Sequence, residues 1–112
     1  MDRRIINPWT WQDALGFVQA NELSGVQRLL VCSGQTSVDA EGRPVHAGDM
    51  DAQVKQALDN LETVLGQAGL TLADVVRLNY DSSDVDRVLG ALGAAGLRLA
   101  ADGCWCASTL LG

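Results

Sequence analysis

Thiols and imidazoles are the side chains best suited to metal or nucleophilic chemistry, and this chain holds Cys32, Cys104, Cys106 and a single His46. A zinc site needs about four ligands at recurring spacings. Cys104-x-Cys106 with one histidine does not supply them, so no metal is expected. The single His46, in a turn-rich stretch, gives no Ser/His/Asp set worth proposing. Cys32 reads as a small core hydrophobe. Cys104 and Cys106 fall on one face of a strand, where packing is favoured over redox work. Asp81, Asp84 and Asp86 form a carboxylate cluster that capping and the helix dipole explain, because Ser83-Asp84 stands at a helix start. Gly90, Gly93 and Gly96 lie inside a helix and lack the strand–turn context of a phosphate loop. Each glycine costs that helix about 1 kcal/mol relative to alanine, which implies compensation by close approach of the helix to a sheet. Trp9 and Trp11 alternate with polar residues and are expected to cover an end of the sheet. His46, between Pro44 and Gly48, is expected in a solvated loop.

The strongest periodic signal runs from Asp49 to Leu70. Met50, Val54, Ala57, Leu58, Leu61, Val64, Leu65 and Ala68 follow the i, i+3, i+4, i+7 rule of an amphipathic helix. Asp49 and Asp51 suit its positive end and Gly69 its stop. Upstream, Arg3 to Asn7 reads as a short edge strand halted by Pro8. Gly16 to Glu22 reads as a second strand, turned by Ser24-Gly25 into a third, Val26 to Ser33. The middle of that third strand, Leu29-Leu30-Val31-Cys32, is apolar on consecutive residues, so both its faces should be covered. Val75 to Tyr80 alternates, with Val76, Leu78 and Tyr80 on one face and Arg77 and Asn79 on the other. Ser83 is the expected N-cap of a second helix, whose stripe is Val85, Val88, Leu89, Leu92 and Leu99. Cys104 to Leu111 reads as a final strand. The order β-β-β-α-β-α-β describes an α+β sheet with both helices on one face. The other face is left for water or a second subunit, and the apolar third strand favours a subunit.

Size and charge narrow the function. A chain of 112 residues is one domain, 1–112. Hydrophobic residues at 47% and charged residues at 20% fit a globular core. No apolar run approaches the ~20 residues of a membrane span, and Met1 to Pro8 lacks the apolar core of a secretory leader. The cytoplasm is therefore the expected compartment. Fourteen acidic against eight basic residues give a net charge of −6. A nucleic acid or an anionic membrane surface needs a basic face, and no Lys/Arg cluster exists beyond Arg3-Arg4. Three cysteines make an odd count that does not suit a disulfide framework.

Several segments together resemble the RidA family of reactive-intermediate (enamine/imine) deaminases, also called YjgF-type. They are Asn7-Pro8-Trp9-Thr10-Trp11-Gln12, Gly16-Phe17-Val18-Gln19-Ala20, Cys32-Ser33-Gly34-Gln35-Thr36, Ala52-Gln53-Val54 through Asn60-Leu61, and Asp74-Val75-Val76. The resemblance covers almost the whole chain. It implies a chorismate-mutase-like α+β fold with a mixed sheet and two helices packed on one face. It also implies a homotrimer with small-molecule sites in the clefts between subunits, and no cofactor is expected. The ligand expected on this basis is an imino or keto acid. The pocket candidates carried over are Phe17, Ser33, Gly34, Gln35, Ala107, Ser108 and Thr109.

The chemistry of the family carries over less completely. Active members hold the substrate carboxylate with an arginine on the penultimate strand, and Ser108 stands in that place here. A hydroxyl supplies neither the charge nor the planar fork that a carboxylate favours. The water-positioning glutamate of the family belongs to a strand that would follow Gly112. Phe17 stands where a tyrosine is usual, and Leu92 where an asparagine often reaches the pocket. No catalytic residue is assigned on this basis. Three readings follow from the resemblance: a metabolite-binding trimer, an active enamine/imine hydrolase releasing ammonia, or a shortened, non-functional family member.

Overall fold

The computed structural model describes all residues, 1–112. Two helices, α1 (Met50–Gln67) and α2 (Val85–Ala101), accompany four short strands. The strands are β1 (Asp2–Ile6), β2 (Ala20–Ser24), β3 (Arg77–Asp81) and β4 (Ala107–Leu111). Single 3-10 turns occupy Asp13–Leu15 and Leu72–Asp74.

Helix α1 begins as its sequence dictates, with the Asp49 carboxylate accepting from the Ala52 amide at 3.1 Å. It ends in a Schellman motif: Gly69, at φ +73°, donates to Gly66 O at 3.0 Å, and Leu70 donates to Leu65 O at 2.9 Å. Helix α2 ends the same way. Gly103, at φ +74°, donates to Ala100 O at 3.1 Å and Cys104 donates to Leu99 O at 2.7 Å. Its start departs from expectation, because Asp84 and not Ser83 is the cap. The Asp84 carboxylate accepts from the Arg87 amide at 3.1 Å, while the Ser82 hydroxyl accepts from the Asp84 amide at 3.0 Å. Asp84 is the residue three positions before that amide, which is the reach a capping carboxylate needs.

Strands β1 and β2 pair antiparallel, from Asp2 opposite Ser24 to Ile6 opposite Ala20. Strands β3 and β4 pair in parallel through the α2 crossover, with Arg77 opposite Ala107 and Asn79 opposite Thr109. Side chains fasten the two ribbons together. Arg3 donates to Ala73 O at 2.9 Å, to Val75 O at 3.2 Å and to Trp105 O, and its Nε donates to Asn21 Oδ1 at 3.1 Å. Asn21 donates in turn to Val76 O at 2.9 Å and Trp105 O at 3.0 Å. The result is the α+β, chorismate-mutase-like fold, its strands paired as two two-stranded sheets in place of one continuous mixed sheet, with both helices packed on the core face of β3 and β4. Its core joins Leu58, Leu61 and Leu65 of α1 to Leu72, to Ala95 and Leu99 of α2, and to Cys104 and Cys106. The two cysteines share the core face, as their spacing requires.

Three expectations need correction. Val26 to Ser33 is not a strand. Leu29 is 74% and Val31 82% exposed, and Cys32 lies exposed with them instead of in the core. Gly25, at φ +65°, closes β2, and the apolar run that follows finds neither a ladder nor a second layer within one protomer. Secondly, the α2 glycines do not meet the sheet. Gly96 lies against Leu15 O and Gly16 Cα of the 3-10 turn, while Gly90 and Gly93 face open space. Thirdly, Trp9 and Trp11 are exposed, and the Trp11 ring stands edge-on to Phe17 at 6.0 Å instead of covering the sheet. His46 is the expected exposed loop residue and adopts φ +65°.

Candidate functional site

Phe17 is held by a tight backbone contact. Gly16, at φ +75°, packs so close to α2 that a Cβ there would stand 2.9 Å from Gly96 Cα. One residue beyond Phe17, the Val18 amide donates to Cys106 O at 3.0 Å. Phe17 therefore flanks the entry to β4, where Ala107, Ser108 and Thr109 are half-buried. The faces of β4 separate these three. Ser108 pairs with Leu78, which packs on the core, and its Oγ lies 3.8 Å from Cys106 Sγ. Ser108 thus looks toward the helices. Thr109 looks the other way and accepts a hydrogen bond from Arg77 Nη2.

Cys104 and Cys106 lie together in the core. A hydrogen bond from Cys104 draws the Cys106 thiol down to about 7, against opposition from burial and with help from the Ser108 hydroxyl. The same interaction, reinforced by burial, pushes the Cys104 thiol far upward. Burial also raises the Tyr80 phenol. Neither sulfur reaches solvent. Their arrangement stabilises the core and does not present a nucleophile.

Ser33 and Gly34 are exposed and Gln35 is half-buried, its amide donating to Ser33 O at 3.3 Å. No hydrogen bond joins this turn to β4 or to Phe17. A single protomer therefore places Phe17 beside the start of β4, splits Ala107 and Thr109 from Ser108 across the two faces of that strand, and leaves Ser33–Gln35 apart from all of them. The loop that follows is built firmly. Asn60 of α1 donates to Thr36 O at 2.9 Å and Val38 O at 3.0 Å, and Gln53 donates to His46 O at 2.9 Å. These two residues stand seven apart, two helical turns, so a single face of α1 carries both anchors. Their spacing was readable in the sequence, although their role in holding the loop was not. Arg77 was likewise visible as a residue facing away from Leu78, without any sign of its partner Thr109. No group of three or more His, Cys, Asp or Glu converges as metal ligands, and no helix is long and apolar enough to cross a membrane.

The fold and these motifs define a class. The family model described as "Endoribonuclease L-PSP" matches residues 12–95. The chain belongs to this family, the Rid/YjgF group. It is 36% identical over 87 residues to a RutC family protein of Haemophilus influenzae, covering 77% of this chain and 64% of that one. A RutC family protein of Pyrococcus abyssi is 30% identical over 61 residues, 54% of this chain and 48% of the relative. The chain thus matches less than two thirds of the length of these curated relatives. A solved Rid family protein of unknown function, YyfB from Yersinia pestis, superposes with TM-score 0.86 at 36% identity, covering 100% of this chain and 86% of that one. A YjgF-family member from Mycobacterium tuberculosis gives TM-score 0.59 at 27% identity, covering 99% and 85%.

Proposed function

We propose that this chain is a homotrimeric, small-metabolite-binding member of the family, with its ligand sites between subunits and little capacity for deamination. The observation that carries the proposal is the bare apolar run from Val26 to Cys32, in which Leu29 and Val31 are 74% and 82% exposed. Contiguous apolar surface rimmed by polar residues marks an interaction site. The Ser33–Gln35 turn continues directly from that run, so a neighbouring subunit docked there would lie beside the pocket candidates. The side-chain chemistry speaks for binding over turnover. Ser108 offers a neutral hydroxyl turned toward Cys106, and Phe17 offers a ring without a hydroxyl. The family description speaks of an endoribonuclease, but a net charge of −6 weighs against a polyphosphate substrate. The ligand class this reading favours is a small imino or keto acid.

Native mass spectrometry tests the assembly. A species of about three times the 11.9 kDa chain supports the proposal, and a monodisperse monomer overturns it. Val31→Arg should return the trimer to monomers by burying a charge in the interface. Ammonia release from a freshly generated 2-imino acid tests the chemistry. Release well above the uncatalysed rate would replace the binding role with an active hydrolase.

A further inference from the structure

We infer that Arg77 and Thr109 form an oxyanion subsite on the open face of β3 and β4. The inference rests on the small-metabolite reading above and names the group that would take the ligand's charge. Parallel pairing sets Arg77 opposite Ala107 and Asn79 opposite Thr109, so all four side chains share the face that points away from the core. Arg77 Nη2 donates to the Thr109 hydroxyl across the two strands. That contact fixes the guanidinium in place while consuming one of its five N–H donors. The accepting hydroxyl keeps its own hydrogen. An oxyanion in front of the pair would receive the remaining fork of Arg77 and the O–H of Thr109 together, the geometry in which arginine binds oxyanions best. The Ala107 methyl leaves room beside the guanidinium.

The charge pattern singles Arg77 out. Arg43, Lys55, Arg87 and Arg98 all answer carboxylates, and Arg3 is taken up by main-chain carbonyls. Arg4 and Arg28 have no side-chain partner to hold them. Arg77 is anchored by one neutral hydroxyl and has no counter-charge in a chain of net charge −6, whereas the donors of Arg3 are already spent on four neutral acceptors. Asp81 is the next carboxylate on this face of β3, four residues and about 13 Å along the strand.

The carboxylate and phosphate groups of metabolites share this chemistry, and titration distinguishes them. Acetate, inorganic phosphate and neutral acetamide would be titrated into 15N-labelled full-length protein while the Arg77 Nε–H resonance is followed. The expected result is a saturable shift with at least one anion and none with acetamide. Saturation by acetate alone identifies a carboxylate ligand, and saturation by phosphate alone a phosphate ester. Arg77→Ala should weaken binding at least tenfold and Thr109→Val several-fold. Arg77→Lys should fall between wild type and Arg77→Ala, because an ammonium lacks the fork. Arg87→Ala removes an equal charge from α2 and should bind as wild type. Absence of a saturable Arg77 shift with both anions overturns the inference, as does wild-type affinity in Arg77→Ala. A monomer whose Arg77 still saturates would sink the trimeric reading and leave the subsite standing. Metabolite binding that leaves the Arg77 resonance unmoved would do the reverse.

Discussion

Replacing Gly16 with alanine is expected to be among the most damaging single-methyl changes in this chain. Two costs coincide there. The residue sits at φ +75°, where an L side chain costs about 1–2 kcal/mol. Its new Cβ would also stand 2.9 Å from Gly96 Cα and 3.1 Å from Gly96 O, main-chain atoms that cannot swing aside. Overpacking of that kind costs about 1–3 kcal/mol. The sum, about 2–5 kcal/mol, lowers the melting temperature of a domain this size by about 8–20 °C. Gly93 supplies the internal reference. An added Cβ there meets nothing within 4 Å, so Gly93→Ala should gain up to about 1 kcal/mol of helix propensity. Gly96→Ala, whose Cβ would lie 3.3 Å from Leu15 O, should fall between them. Thermal melts followed by circular dichroism check the series, at one fixed protein concentration because assembly makes melting concentration-dependent. Equal melting of Gly16→Ala and Gly93→Ala would refute the close packing of the 3-10 turn on α2, and with it the placement of Phe17.

Asn60→Ala removes the two hydrogen bonds to Thr36 O and Val38 O, leaving the Gln53 anchor in place, and should cost about 1–3 kcal/mol. Hydrogen exchange should quicken over residues 36–45 while Leu58 to Leu65 keeps its protection. The cysteine pair makes stability depend on alkaline pH. The Cys106 thiol is lowered to about 7 from an ordinary value of 9.0, so folding favours its thiolate, and the gain is present near pH 9 and lost as pH falls toward 7. Cys104 is shifted upward, so its contribution is present below pH 9 and is lost above it. The urea midpoint should therefore peak near pH 9 in the wild type and show no such peak in Cys106→Ala. Gly103→Ala should destabilise by about 1–2 kcal/mol through its left-handed cap, measured by the same denaturation.

The helices were the most legible part of the fold because their signal is local. The stripe from Met50 to Leu65 and the carboxylate at Asp49 specify α1 within a few residues of chain, and the structure places its ends within a turn of that reading. Ser83 was displaced as a cap by its neighbour Asp84, a choice between two good acceptors that composition alone does not decide. The Val26 to Ser33 run was misread because consecutive apolar residues announce burial without saying by what. A strand's hydrogen bonds lie with a partner that may stand anywhere in the sequence, or in another molecule. The same limit applies to the site. Phe17 is brought beside the start of β4 by a single main-chain bond from Val18 to Cys106, a contact across 88 positions that no spacing rule encodes. Arg77 could be assigned to a face from alternation, but its anchoring by Thr109 depends on the parallel register of β3 and β4.

The arginine at position 3 has a consequence for how the chain is made. Its carbonyl partners at Ala73, Val75 and Trp105 belong to segments translated long after it, the last of them 102 residues later. At about 5–20 residues per second, the first strand waits roughly 5–20 s for its final acceptor. Until then β1 and β2 form only a two-stranded ribbon, which is marginal alone in water. Their guanidinium and amide lack the Trp105 carbonyl they share, and the ribbon's edges remain open to other chains. The nascent protein is thus most exposed to mispairing at its beginning, and Trp105 is the residue whose arrival ends that interval.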